Sequence, residues 1–149
     1  MGSTTAAGSA LAISAALPAT EDAAGYAALT WTEIGGIEQI GGIGPTFNKT
    51  EFVPLKGDKD KHKGSVDHGA LQPSLAHDDE DAGQTLLRTA SDDRTSKLYS
   101  FMATYPTGEK RYSQGRVFGY PENVGNADSV IMANPTIELC RKVVRVPAA

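Results

Sequence analysis

The chain has 149 residues, a formal net charge of −4, 40% hydrophobic residues and 21% charged residues. That length suits one domain able to bury its own core, and the mildly acidic balance argues against grip on nucleic acid by broad phosphate neutralisation. The single cysteine, Cys140, excludes an intrachain disulfide framework or a cysteine-based zinc site. It suits cytosolic synthesis, and its apolar surroundings predict a small core residue.

Residues 6–19 are mostly Ala, Ser and Gly, with no Lys or Arg before Lys49. They lack the basic flank of a signal peptide and the apolar strength of a membrane span. Residues 1–20 are therefore expected to form a flexible N-terminal arm, ahead of one β-sandwich domain over 21–149. Residues 21–28 form a short connection with room for a helical turn. Residues 29–34, with Trp31 and Ile34, favour a strand. The doublets Gly35-Gly36 and Gly41-Gly42 then suggest kinks in a meandering strand, since no helical pattern follows them as a phosphate loop would require.

Residues 46–55 predict a second strand, stopped by Pro54. The next run, Lys56, Gly57, Asp58, Lys59, Asp60, Lys61, His62 and Lys63, has no apolar face. It predicts a long solvated loop near 56–68, or a hairpin tip. A loop of this length in a small domain suggests an assembly contact. Residues 69–77 predict a third strand, with Leu71 and Leu75 on one face.

The period then changes. Ala82, Leu86 and Ala90 recur at a spacing of four and predict one short amphipathic helix. Asp81 and Gln84 have the spacing of a capping box, in which the Asp oxygen accepts from the helix amide and the Gln reaches back. The acidic residues Asp78, Asp79, Glu80 and Asp81 suit the positive end of the helix dipole. Asp92 and Asp93 oppose its negative end, so the helix should stop near Ala90 or Ser91.

Residues 97–105 alternate, with Tyr99, Phe101, Ala103 and Tyr105 on one face. Pro106, Thr107, Gly108 and Glu109 signal a turn, and residues 110–120 return, completing a β-hairpin. Residues 121–127 read as a polar loop. Residues 128–146 supply one strand or two broken near Pro135, and the opposite phases of Leu139 and Val144 suggest a bulge or a change of partner. About seven strands and one flanking helix make a mainly-β chain, a β-sandwich or partly closed barrel.

Catalytic signatures are missing. There is no His-Glu-x-x-His pair, no Gly-x-Ser-x-Gly and no Walker or dinucleotide loop. His77 stands beside Asp78, Asp79 and Asp81, but a helix N-terminus prefers anions to cations. No catalytic residue, cofactor or metal site is expected, and the chain is read as an assembly protein, not an enzyme.

From Trp31 onward the order of features resembles bacteriophage tail tube proteins of the long, non-contractile, lambda-like type. The resemblance rests on residues 37–45 (Ile-Glu-Gln-Ile-Gly-Gly-Ile-Gly-Pro) and on Asp67-His68-Gly69-Ala70-Leu71. It continues through Asp81-Ala82-Gly83-Gln84 with Leu86, Leu87 and Ala90, then the hairpin 99–117 and the ending 137–146. It spans roughly residues 29–146. It implies a subunit of stacked, hexameric rings whose inner sheets close around a lumen, located in the virion and made in the host bacterial cytoplasm. It further implies a tape-measure protein in that lumen, tail terminator and tail-tip partners, and DNA that passes without sequence-specific binding. Lys56, Asp58, Lys59, Asp60, Lys61, His62 and Lys63 would then make contacts between rings or subunits. A tube subunit of a secretion system or contractile particle, and a stand-alone β-sandwich binding module, are the alternatives.

Overall fold

The structure is a computed structural model describing residues 3–148. Met1, Gly2 and Ala149, which fall in the spans expected above, lie outside the described residues. The chain is mainly β, with two short helices. In order these are β1 (Ala10–Ser14), α1 (Ala23–Ala27), β2 (Thr32–Ile34), β3 (Ile37–Gln39), β4 (Thr46–Phe52), β5 (Asp60–Asp67), β6 (Ala70–Leu71), β7 (Ser74–Ala76) and α2 (Ala82–Asp92). Then follow β8 (Tyr99–Thr104), β9 (Lys110–Val117), β10 (Glu122–Asn123), β11 (Met132–Ala133), β12 (Ile137–Leu139) and β13 (Val144–Val146).

Seven strands form one antiparallel sheet in the order β2-β1-β8-β9-β12-β6, with β13 also beside β9. A four-stranded sheet, β10-β11-β7-β3, lies apart from it, and β4 and β5 form a third sheet of their own. The large sheet is open at β2 and β6, so the sandwich is realised and the barrel is not closed. Leu11, Ile13, Phe101, Ile137 and Leu139 point from one face of this sheet into the core, where Leu87 of α2 and Leu75 and Ala133 of the smaller sheet meet them. The alternation of strand side chains places all of these on one side.

The expected flexible arm is corrected by β1. Residues 10–14 sit between β2 and β8 in the large sheet, with Leu11 paired to Ala103 and Ile13 to Phe101. Leu11 and Ile13 are fully buried. Ala12 and Ser14 on the opposite face are buried too. A strand covered on both faces tolerates small residues where neighbours lie close, so low side-chain volume concealed a central strand. Ser100, across from Ser14, donates its hydroxyl to Ala16 O at 2.7 Å.

That opposite face is covered by α1, a second helix beyond the single one expected. Asp22 caps it, accepting from Gly25 N at 2.8 Å. The bond to Gly25 and another from Thr20 hold the Asp22 carboxyl below its usual range. Tyr26 stacks on Tyr112 with ring centroids 5.0 Å apart, and Trp31 covers the same ring at 5.7 Å. Gln114 donates to the Tyr26 hydroxyl at 3.1 Å, so the buried phenol is satisfied.

Helix α2 is capped by Asp81, whose Oδ2 accepts from Gln84 N at 2.9 Å and from Gly35 N at 3.0 Å. One carboxylate thus stops the glycine bend and starts the helix. Gly83 lies so close to β2 that a Cβ there would run into Glu33 O. The helix runs to Asp92, further than expected. Asp93 is the C-cap, and its carboxylate turns back to Thr95 N at 2.8 Å and takes a bond from Tyr99 at 3.3 Å, which relieves the clash with the dipole.

The glycine doublet at 35–36 does more than kink a strand, because β2 and β3 belong to different sheets. Gly36 has φ +72°, and a Cβ there would stand 2.8 Å from Ala76 O. The single strand expected over 69–77 likewise divides: β6 pairs with β12 and β7 with β11 and β3. Pro73, between them, cannot donate to a ladder.

The expected hairpin is β8–β9, with Tyr99 opposite Gly115 and Thr104 opposite Lys110. The expected irregularity near the end is a bulge without a change of partner. Leu139 lies opposite Gly115 and Val144 opposite Tyr112, so five steps on one side match three on β9. The polar stretch 121–127 contains β10. Cys140 is only half-buried, with its Sγ 3.2 Å from Arg116 Nη1, so it is not the core residue expected.

Candidate functional site

The charged run near 56–68 is not a loop throughout. Residues 60–67 are strand β5, paired antiparallel with β4 from Thr46↔Asp67 to Phe52↔Asp60, with a bulge between Phe47 and Lys49. The tip is residues 53–59. Alternating Lys and Asp hid this strand, because a strand solvated on both faces has no apolar period to reveal it. Every residue of β4 and β5 is exposed.

Lys56, Asp58 and Lys59 stand in the tip, and Asp60, Lys61, His62 and Lys63 on β5. The hairpin is laced internally. Glu51 is 2.8 Å from Lys49 and 3.3 Å from Lys59, and His62 Nε2 is 3.2 Å from Asp60. Lys63 lies over the Phe47 ring, 4.9 Å from its centroid. Asn48 donates to Ser65 Oγ at 2.8 Å. Exposed pairs of this kind contribute roughly 0–1 kcal/mol each. An isolated two-stranded hairpin is marginal in water, so this one lacks the cover that would hold it.

Sequence reasoning missed the apolar part of the same element. Phe52 is 61% exposed, Val53 64% and Leu55 fully exposed, with Phe47 and Val66 about half exposed nearer the root. Phe52 at the end of β4, with Val53 and Leu55 of the tip, thus leaves an apolar patch in water. The available signal was Phe52-Val53-Pro54-Leu55, an apolar run bounded by charge. A second set of exposed apolar residues, Val124, Val130 and Ile131, lies around the connection from β10 to β11.

Asp81 and Gln84 serve the fold and lie away from the hairpin. Asp81 caps α2 as described. Gln84 does not reach back to the Asp81 amide. Its Oε1 accepts from Asp78 N at 2.8 Å and from the Tyr120 hydroxyl at 3.1 Å, while its Nε2 donates to Gly35 O and Ala76 O. His77 Nδ1 is 3.3 Å from the Tyr120 hydroxyl and 3.7 Å from Glu122. Among the described residues no group of three or more His, Cys, Asp or Glu is placed to hold a metal ion. Among the described residues no helix is long and apolar enough to cross a membrane.

No protein-family model matches the chain, and no curated protein matches it by sequence. Solved structures do. A chain of the six-fold symmetrised baseplate of the anti-feeding prophage matches with a TM-score of 0.68 at 10% identity, over 99% of both chains. A chain from the sheath/tube terminator of an extracellular contractile injection system, PVC, in the extended state matches at 0.67 with 8% identity, again over 99% of both. A third, from the PVC sheath-tube complex, matches at 0.60 with 11% identity, covering 93% of this chain and 88% of that one. At such identities the likeness defines the fold: a mainly-β, tail-tube-like fold found in components of phage-tail-like particles. Two of the three are named as contractile systems, and none supports the non-contractile type to which the sequence pointed.

Proposed function

We propose that this chain is a non-enzymatic structural subunit of the tube of a phage-tail-like contractile particle, assembling as stacked rings. The observation that carries the proposal is the β4–β5 hairpin, exposed on both faces and tipped by Phe52, Val53 and Leu55. Such an element gains stability only when a neighbouring subunit covers it. The open edges at β2 and β6 add unpaired backbone that closure into a ring would satisfy. The tail-tube-like fold supports the reading, as does the six-fold symmetry of the first neighbour.

In this role Lys56, Asp58, Lys59, Asp60, Lys61, His62 and Lys63 flank the contact between rings. The lumen is a passive conduit, for DNA in a virion or for another cargo in an injection system, and an elongated tape-measure protein would set its length. Terminator and tip proteins would close its ends. Electron microscopy of the purified protein tests the proposal. Hollow rings or tubes are expected, and a persistent monomer at high concentration would contradict it.

A second reading has its own support. The terminator and baseplate structures match better than the sheath-tube complex. That favours a ring used once, at the end of a tube. Discrete rings that never stack would select this second reading over a repeating tube subunit.

A further inference from the structure

Resting on the tube reading, we propose that the hairpin tip of one copy docks into a specific groove of a second copy, with Lys56 paired to Glu38. The groove is a cavity of about 810 Å³ beside β3, walled by Ala6, Ala7, Ile37, Ile40, Ile43 and Tyr105. The three isoleucines and Tyr105 are only partly buried, although they pack against the core. Its volume lies in the range that accepts a small cluster of side chains.

The occupant follows from geometry and charge. Ile43, on the groove wall, is only three residues before Thr46, where the hairpin starts. From that root the strands run about 20 Å to the tip at the usual rise per residue. A stiff two-stranded ribbon of that length cannot return its tip to its own root. Tip and groove are therefore separate, different surfaces on one molecule. A contact between them is heterologous and repeats from copy to copy, the geometry that closes into a ring or extends as a stack according to the rotation between copies. Among the described residues Glu38 is the only charged lining residue of the groove, and it is exposed and free of ion pairs. Lys56, next to the fully exposed Leu55, likewise has no ion pair among the described residues. Docking Leu55 against the isoleucines brings Lys56 of the tip toward Glu38 of the groove.

Gly42 provides the discriminating variant. A Cβ built there meets nothing within 4 Å, so Gly42→Leu should fill the groove while leaving the monomer intact. Assembly would be followed by sedimentation across a concentration series, with thermal unfolding of each variant as the control for folding. Gly42→Leu is expected to raise the critical concentration for assembly about tenfold or more, as is Leu55→Ser. Glu38→Lys and Lys56→Glu should each weaken assembly, and the double reversal should recover most of the loss. Wild-type assembly that persists in Gly42→Leu, or a double reversal no better than the weaker single variant, overturns this docking and leaves the tube reading standing. A wild-type chain that stays monomeric throughout overturns both.

Discussion

Gln84 joins elements that are distant in sequence. Its side chain is fully buried and bonded to Asp78, Gly35, Ala76 and Tyr120, so it ties α2 to the bend after β2 and to the end of β7. Replacing it by Leu keeps the volume but strands the Asp78 amide and the two carbonyls. The expected loss is about 3 kcal/mol, because each buried polar group left unpaired costs about 1–3 kcal/mol. Tyr120→Phe removes the hydroxyl's bond to Gln84 and its longer contacts to Arg88 and His77 but strands no buried backbone group, and should cost about 1 kcal/mol. Urea unfolding of the two variants checks the order. Four tyrosines make a second prediction at this scale. Burial raises the phenol pKa of Tyr26, Tyr99, Tyr112 and Tyr120 above 10.0, with Asp93 adding to the rise at Tyr99. A folded-state pKa above the unfolded one gives stability that is complete below pH 10 and lost as pH rises through the folded values. Unfolding midpoints should therefore fall steeply above pH 10, together with phenolate absorbance, and Tyr112→Phe should blunt that fall.

Strand β1 tests what distinguishes a central strand from an arm. A flexible arm tolerates truncation, with changes under about 0.5 kcal/mol. Leu11→Ala, at a site with no exposure, is expected to cost about 2–5 kcal/mol through lost burial and the cavity left behind. Chemical denaturation measures this directly, and a near-neutral result would return residues 10–14 to the arm. The contact of α2 with β2 makes a sharper prediction, since two effects oppose. Ala is favoured over Gly in a helix by about 1 kcal/mol. At Gly83, however, the new Cβ meets the Glu33 carbonyl, and overpacking costs about 1–3 kcal/mol. Gly83→Ala should therefore destabilise by about 1 kcal/mol despite its propensity, as read from the shift in thermal midpoint.

On the scale of the whole molecule, the hairpin and the sandwich are separable. The hairpin contributes no residue to the core cluster, so excising residues 48–65 in favour of a two-residue Asn-Gly turn should change unfolding free energy by less than about 1 kcal/mol. The same deletion should abolish rings or tubes. Calorimetry and electron microscopy on one sample read both outcomes. Loss of folding together with assembly would show that the hairpin is structural, and retained tubes would remove it from the assembly.

The sequence by itself determined the class. Alternation at Tyr99, Phe101 and Ala103, the turn at Pro106–Glu109, the spacing of Ala82, Leu86 and Ala90, and the Asp81 cap are local signals written in neighbouring residues. These made the mainly-β fold, the β8–β9 hairpin and α2 legible. What the tertiary structure decided depends on partners far along the chain. Only the flanking β2 and β8 show that Ala10–Ser14 is a central strand. Only the register with β4 shows that the charged run after Asp60 is a strand and not a loop. Only the fold shows why position 36 is glycine, with φ +72° and the Ala76 carbonyl 2.8 Å from where a Cβ would stand. The candidate site was half legible. Its charges stood out in the sequence, whereas its apolar tip took meaning only once Phe52, Val53 and Leu55 were placed beyond the reach of any core, because exposure is a property of the folded surface and not of the residue.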